Sequence, residues 1–276
     1  MGQLDGRVAL VTGAARGQGR AHARALAAEG AIVVAADIAA PVGTVRYPMP
    51  TPEDLDETVA LIAGPGGKAT PKVMDVRDPA AVDAVVADTV SAHGHIDILV
   101  ANAGICAFSV FEEISDEAWE EMLGTNLGGT FRCIRAVLPH MKRERYGRIV
   151  TISSGAGRCG MLNLGHYVAS KWGVIGLTKT VALETAGLGI TANVVCPSTT
   201  ATPMVRNDAT YQAFCPEIEH PTEEDALPRI AATSPMGVPW LQPEDITRAV
   251  MYLVTDPGLT SGSVIDVNLA TSASRT

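Results

Sequence analysis

Two stretches of the chain, AIVVAA at residues 31–36 and IDILVA at residues 96–101, are apolar almost throughout and show no in–out alternation. A strand wetted on one side alternates apolar and polar residues. Runs like these therefore mark strands covered on both faces, as in a parallel sheet. Short runs of the same kind recur at Arg7–Val11, Ile32–Ala36, Lys72–Met74, Ile96–Ala101, Arg148–Ile152, Thr191–Val195 and Val264–Val267. Between them lie segments of helical length at 17–29, 52–63, 79–92, 116–142, 166–186 and 243–254. Thr51-Pro52, Asp78-Pro79 and Ser115-Asp116-Glu117 supply cap and first-turn signals at three of the starts. Strand and helix alternating to the end, with no internal repeat, predict one α/β domain over residues 1–276. The expected architecture is a three-layer α/β/α fold of Rossmann type with a seven-stranded parallel sheet.

Two segments break the rhythm. Residues 39–51 carry Pro41, Pro48 and Pro50 and lengthen the connection after the second strand. Residues 197–242 form a long Pro-rich stretch before the last helix, read as a substrate lid, since long loops in compact domains are usually functional or mobile.

Composition narrows the class. Thirty acidic against 21 basic residues, a formal charge of −9, argue against nucleic acid or an anionic membrane as main partner. Cys106, Cys133, Cys159, Cys196 and Cys215 are scattered, with no C-x-x-C pair, and the histidines lack ligand spacing. Neither a disulfide framework nor a metal site is expected. Without a leader pattern or a run approaching ~18 apolar residues, the expected setting is the cytoplasm.

The chemistry begins at Thr12–Gly19, where the first strand meets the first helix with glycines at 13, 17 and 19. Such a turn lets the backbone approach a diphosphate resting on helix N-terminal amides. Asp37, closing the second strand, can accept hydrogen bonds from ribose hydroxyls and repels a 2′-phosphate, which favours NAD over NADP. Arg16 reads either as a surface arginine near Asp37 or as a phosphate partner. Asp75, before Val76, reads as a contact to the adenine amino group or as an ordinary cap.

Tyr167 and Lys171 stand four apart on one helix face, and Ser154 precedes Tyr167 by thirteen residues at a strand end. A phenol with a pKa near ~10 needs a neighbouring cation to serve as a general base at neutral pH. Asn126 sits mid-helix, where asparagine is a poor helix former. His166 reads as packing. Glu112, Glu113, Asp116, Glu117, Glu120 and Glu121 read as a solvated acidic face.

Together, T-G-x-x-x-G-x-G at Thr12–Gly19, Asn102-Ala103-Gly104, Asn126, Ser154, Tyr167 and Lys171 resemble the short-chain dehydrogenase/reductase family. GAARGQGRAHA, the insertion after Asp37, HYVASKWGVIGL and VPWLQPEDI resemble its carveol dehydrogenase-like, mycofactocin-associated subgroup. The resemblance implies that Tyr167 exchanges a proton with the substrate, Ser154 orients the reacting oxygen and Asn126 holds a relay water. Lys171 would bind the nicotinamide ribose and depress the Tyr167 pKa. It implies NAD contacts from Gly13, Ala15, Arg16, Gly17, Gln18 and Gly19, from Asp37, Ile38, Asp75 and Val76, and from Asn102, Ala103 and Gly104. Pro197, Thr199, Thr200 and Thr202 would line the nicotinamide side. Ser198 stands where the family often has glycine, and Asp266 and Asn268 stand where it has Asp-Gly-Gly.

The expected activity is interconversion of a secondary alcohol and its ketone. Met161, Leu162, Leu164, Met204, Tyr211, Phe214, Met236 and Trp240 would form an apolar rim for a cyclic or terpenoid substrate. Retained NAD, an external redox carrier and a homotetramer follow from the resemblance. The rivals are an NADPH-dependent 3-oxoacyl-thioester reductase, opposed by Asp37, and a non-catalytic nicotinamide-binding regulator, opposed by the full Asn126, Ser154, Tyr167 and Lys171 set.

Overall fold

In the computed structural model, which describes residues 2–274, seven parallel strands form one sheet in the order β3-β2-β1-β4-β5-β6-β7. The strands are β1 (Val8–Thr12), β2 (Ile32–Asp37), β3 (Lys68–Val73), β4 (Ile98–Ala101), β5 (Gly147–Ile152), β6 (Ile190–Pro197) and β7 (Val264–Val267). Around them lie α1 (Gly17–Ala28), α2 (Pro52–Ala63), α3 (Pro79–His93), α4 (Asp116–Leu123), α5 (Thr130–Glu144), α6 (Gly165–Glu184), α7 (Asp208–Phe214), α8 (Glu223–Ala232) and α9 (Pro243–Thr255). The expected three layers and strand number are present. Met1, Arg275 and Thr276, at the ends of the expected domain, lie outside the described residues.

Alternate residues of the central strands feed two cores, which is why their sequences do not alternate. Ala9 and Val11 of β1, with Val33 and Val100, meet Leu26 of α1, Leu55 of α2 and Ile246, Val250 and Leu253 of α9. Leu10, Val34, Leu99 and Ile149 meet Val82 and Val86 of α3, Ile134, Val137 and Met141 of α5 and Val181 of α6. The strand order reverses direction at β1 and β4, so a crevice opens beyond their carboxyl ends, the usual ligand position in such sheets.

Three features depart from the sequence-based expectation. Strand β3 begins at Lys68 rather than Lys72, because its pairing with β2 from Ile32↔Lys68 to Asp37↔Val73 defines it. It is an edge strand, where Pro71 is tolerated and half-wetted residues suffice. The single helix expected at 116–142 is instead α4, a π-helical turn at Gly124–Gly129, and α5. Glycines weaken that turn, and Gly129 is required by close approach, since a Cβ there would lie 2.5 Å from Val76 Cγ2. The 197–242 stretch contains α7, capped by Asn207, and α8, opened by a Thr222/Asp225 capping box.

Leu253 has no exposed surface and sits in the core shared with α1. Leu253→Ala is expected to lower unfolding free energy by about 2–5 kcal/mol in chemical denaturation.

Candidate active site

The glycine turn is held by a polar latch between the ends of β1 and β4. Thr12 Oγ1 accepts the N–H groups of Asn102 and Ala103, each at 3.0 Å. The Asn102 amide donates to the carbonyls of Thr12 (3.0 Å) and Gly13 (3.3 Å). Gly13 has φ +67°, and a Cβ there would lie 2.9 Å from both Ala103 Cα and Asn102 Nδ2. No side chain caps α1, so its first amides are free for an anion.

A cleft of about 740 Å³ opens over this turn, with Gly13, Arg16, Gly17 and Asp37 on one wall. Asp37 is buried, and its carboxylate accepts the N–H of Ala15 (3.0 Å) and of Ala39 (3.1 Å). Burial pushes its pKa up, while those amides and Arg16 pull the other way. Arg16 stands near Asp37, close enough for its charge to act on the carboxylate. It is half-buried and donates to the carbonyl of Pro48, in the segment inserted after β2. Tyr47, Met49 and Pro50 of that segment line the same cleft.

Beyond Asp37 lies an apolar slot of about 410 Å³ walled by Ile38, Val42, Met49, Met74, Val76 and Ile105. Asp75 reaches this slot, with its carboxylate gripped by Arg77 through Nε (3.0 Å to each oxygen), Nη2 (2.8 Å) and the backbone N–H (2.8 Å). These bonds outweigh burial and hold Asp75 below its ordinary pKa.

Tyr167 stands where the glycine-turn cleft meets a second one. Tyr167, Gln18, Ser153, Thr202 and Met204 line both, and the buried Gln18 Oε1 has no hydrogen-bond partner among the described residues. Ser154 follows β5, accepts the N–H of Ala156 (3.1 Å) and, with Tyr167, lines the second cleft. Lys171 is buried, donates to the carbonyl of Ile152 (2.9 Å) and lies 5.7 Å from the Tyr167 ring centre.

Burial lowers the Lys171 pKa to about 8. It also drives the Tyr167 phenol above its ordinary value, against the pull of Ser154. The expected depression of the Tyr167 pKa is not seen here, because desolvation dominates.

Asn126 is 1% exposed and fully engaged within the protein. Its Oδ1 accepts the Ile105 N–H (2.8 Å), and its Nδ2 donates to the Ile105 carbonyl and Ser170 Oγ, both at 3.0 Å. Ser170 Oγ donates to the Tyr167 carbonyl (2.7 Å). Asn126 thus ties the exit of β4 to the first turns of α6.

The second cleft, about 920 Å³, carries Pro197, Thr199, Thr200 and Thr202 on one side, with Thr200 Oγ1 donating to the Ser198 carbonyl (2.9 Å). Met161, Leu164, Met204 and Phe214 line it as expected. The other four rim residues do not: Tyr211 and Trp240 join a separate small core with Cys215 and Ile230, while Leu162 and Met236 are exposed. Among the expected contacts, Gly104 lines the first cleft and the slot and Ala103 the slot, whereas Ala15, Gly19 and Asn126 line none of the three cavities. Ala15 serves through its amide to Asp37, and Gly19 packs on the Gly13 carbonyl.

Cys106 and Phe108, on the second cleft, and Thr125, in the slot, went unnoticed in sequence. The position of Cys106 and Phe108 just after Asn102–Gly104 was the available signal. Asp266 Oδ1 and Asn268 Nδ2 are buried with no hydrogen-bond partner among the described residues, while Asp266 Oδ2 lies 3.7 Å from Arg158.

Removing the Asn126 side chain orphans the buried Ile105 amide and carbonyl. Asn126→Ala is expected to cost about 1–3 kcal/mol of stability in denaturant titration and to lower kcat more than KM.

Residues 7–213 match the family model described as short chain dehydrogenase. A (−)-trans-carveol dehydrogenase from Rhodococcus erythropolis is 39% identical, with 99% of each chain covered. A 3-oxoacyl-[acyl-carrier-protein] reductase from Thermotoga maritima is 36% identical, covering 96% of this chain and 98% of the relative. The crystal structure of carveol dehydrogenase from Mycobacterium avium in complex with NAD superposes with a TM-score of 0.96 at 38% identity, over 99% of this chain and 100% of that one. A match that runs from β1 into α7, with relatives aligned almost end to end, means that the chain belongs to the short-chain dehydrogenase family.

Proposed function

We propose that the protein is an NAD-dependent dehydrogenase interconverting a hydrophobic secondary alcohol and its ketone. The observation that carries this reading is the position of Tyr167, with Ser154 and Lys171, at the junction of the two clefts. The nucleotide cleft fits NAD: free α1 amides and the close backbone at Gly13 suit the diphosphate, Asp37 the adenosine ribose, and the apolar slot the adenine. Lys171 and the Pro197–Thr202 turn stand on the nicotinamide side. Asp37, tied to two amides and 5% exposed, leaves no place for a 2′-phosphate, which disfavours NADPH chemistry. Bound NAD supplies the hydride acceptor for alcohol oxidation and, in its oxidised form, a positive charge beside the Tyr/Lys pair.

The protein's own part is proton handling. Tyr167 Oη takes the proton of the alcohol and returns it to the ketone in the reverse direction, while Ser154 orients the reacting oxygen. With a pKa of about 8, Lys171 remains largely a cation at neutral pH. Asn126 acts through Ser170 to fix the helix turn that carries the pair.

Among the described residues no charged side chain lines the second cleft, which supports a neutral, largely apolar substrate. The names of the relatives support a cyclic, terpenoid alcohol. The 197–242 segment acts as lid over this cleft, and the 39–51 segment over the nucleotide retains NAD, so that electrons leave through an external redox carrier. Phe131 on α5 with Trp172 and Leu183 on α6 are exposed, which supports burial between copies in a homotetramer. Among the described residues no helix is long and apolar enough to cross a membrane, and the expected setting is the cytoplasm.

Tyr167→Phe is expected to reduce kcat by about 10²–10⁴-fold while the protein still binds NAD, measured by turnover and by nucleotide content. Unchanged turnover overturns the assignment. Because the phenol must lose its proton to accept one and burial holds its pKa above the ordinary value, alcohol oxidation should keep accelerating as pH rises from neutral into the alkaline range, while ketone reduction, which needs the protonated phenol, should change little over the same range, both read as initial rates. Denaturing extensively dialysed protein should release near-stoichiometric NAD(H), read by mass spectrometry. An empty protein removes retention and the external carrier from the proposal.

A further inference from the structure

Five of the six carboxylates expected on the acidic face at 112–121 are exposed as predicted, but the sixth is not. The Glu121 side chain is 15% exposed and turns inward from the last turn of α4. Its Oε2 accepts both the backbone N–H (2.9 Å) and the hydroxyl of Thr44, in the segment inserted after β2. Its Oε1 accepts Arg77 Nη1 at 2.6 Å, and the rest of that guanidinium grips Asp75. The neighbouring Met122 is buried and packs in one cluster with Val42, Met49 and Ile105. Residues 121 and 122 therefore fasten the inserted segment twice, by charge and by apolar contact. The segment's far end is fastened separately, through the Pro48 carbonyl to Arg16 and through Tyr47 Oη, which accepts the Cys106 N–H at 3.4 Å.

We infer that Glu121 is the clasp that holds this segment closed over the adenosine half of the cleft, and that it sets the rate at which NAD leaves. The inference rests on the proposed binding of NAD there. Val42 and Met49 line the slot and Tyr47, Met49 and Pro50 line the glycine-turn cleft, so the segment borders both places where the nucleotide would lie and its displacement widens both. On the Glu121 side, the polar bonds that resist this displacement converge on one carboxylate. Through Arg77 they are continuous with Asp75, which lines the slot. Glu121 touches neither the second cleft nor Tyr167, so it is a positioning residue.

The test follows NAD-loaded protein mixed with excess isotopically labelled NAD, the released nucleotide being quantified by mass spectrometry. Glu121→Ala, which leaves Thr44 and Arg77 without their acceptor, is expected to speed release about tenfold or more. Glu121→Gln keeps the acceptor for Thr44, loses the charge facing Arg77 and should fall between the two. It also secures the comparison if the alanine variant folds poorly. The exposed neighbour variant Glu120→Ala should release NAD at the wild-type rate. Hydrogen exchange at residues 40–50 should rise with Glu121→Ala, and KM for the alcohol should stay put.

A ratio above about three between Glu121→Ala and wild type supports the clasp, and a smaller ratio overturns it. A parallel rise in KM for the alcohol also overturns it, as a sign of general loosening. If the wild type exchanges NAD rapidly, the retention reading falls, yet the same ratio still decides the clasp.

Discussion

The hydrogen bonds between Thr12 and Asn102 are the constraint on which the cleft depends. Strands β1 and β4 run side by side and then part, because the chain leaving β1 turns to α1 on one face while that leaving β4 heads toward α4. Parting strands leave backbone donors without ladder partners, and buried donors must be satisfied. One threonine hydroxyl accepts two of them, and the asparagine amide takes up two carbonyls. The crevice is thereby held open without exposing unpaired backbone, and Gly13 is held against Ala103, where no side chain fits.

The same logic governs the reactive group. Tyr167 and Lys171 are set in a site dry enough to disfavour both the phenolate and the ammonium. Such burial is stable only where neighbouring polar atoms are satisfied, and Asn126, Ser170, Ser153 and Ile152 supply that network. It also means that charge arriving in the cleft is poorly screened and acts strongly on both groups.

Much of this was legible in sequence, and the gaps have physical causes. The two-faced burial of β1, β2, β4, β5 and β6 was written in their apolar composition. The spacing of Ser154, Tyr167 and Lys171 follows from one strand end and one helix face. Strand β3 was misplaced because an edge strand is defined by its neighbour's hydrogen bonds, which leave no apolar signature. The break between α4 and α5 was hidden because π-helical and α-helical turns have nearly the same side-chain periodicity. Helices α7 and α8 were masked by the prolines around them, although Asn207 and the Thr222/Asp225 box announced their starts. Arg16 reads in sequence as either a surface arginine or a phosphate partner, and Glu121 as a solvent-facing charge. Their partners, Pro48 and Thr44, lie far along the chain, and no local pattern reports such a contact.

Both segments that interrupt the strand–helix rhythm share one mode of attachment. Residues 197–242 fold on their own small core of Tyr211, Cys215, Ala226 and Ile230, braced by Glu223 accepting from Arg206 and Tyr211. Residues 39–51 lean on Met122 and are tied at Thr44, Tyr47 and Pro48. Residues 39–51 add no strand to the sheet, and residues 197–242 touch it only at Pro197 and Ser198, where β6 ends beside Val267. The sheet and α6 hold Ser154, Tyr167 and Lys171, while each bordering segment is anchored by a few polar contacts and a small apolar cluster. Tyr167 packs against the same cluster of Val42 and Met122, so the inserted segment shares a wall with the Tyr167 site that it borders.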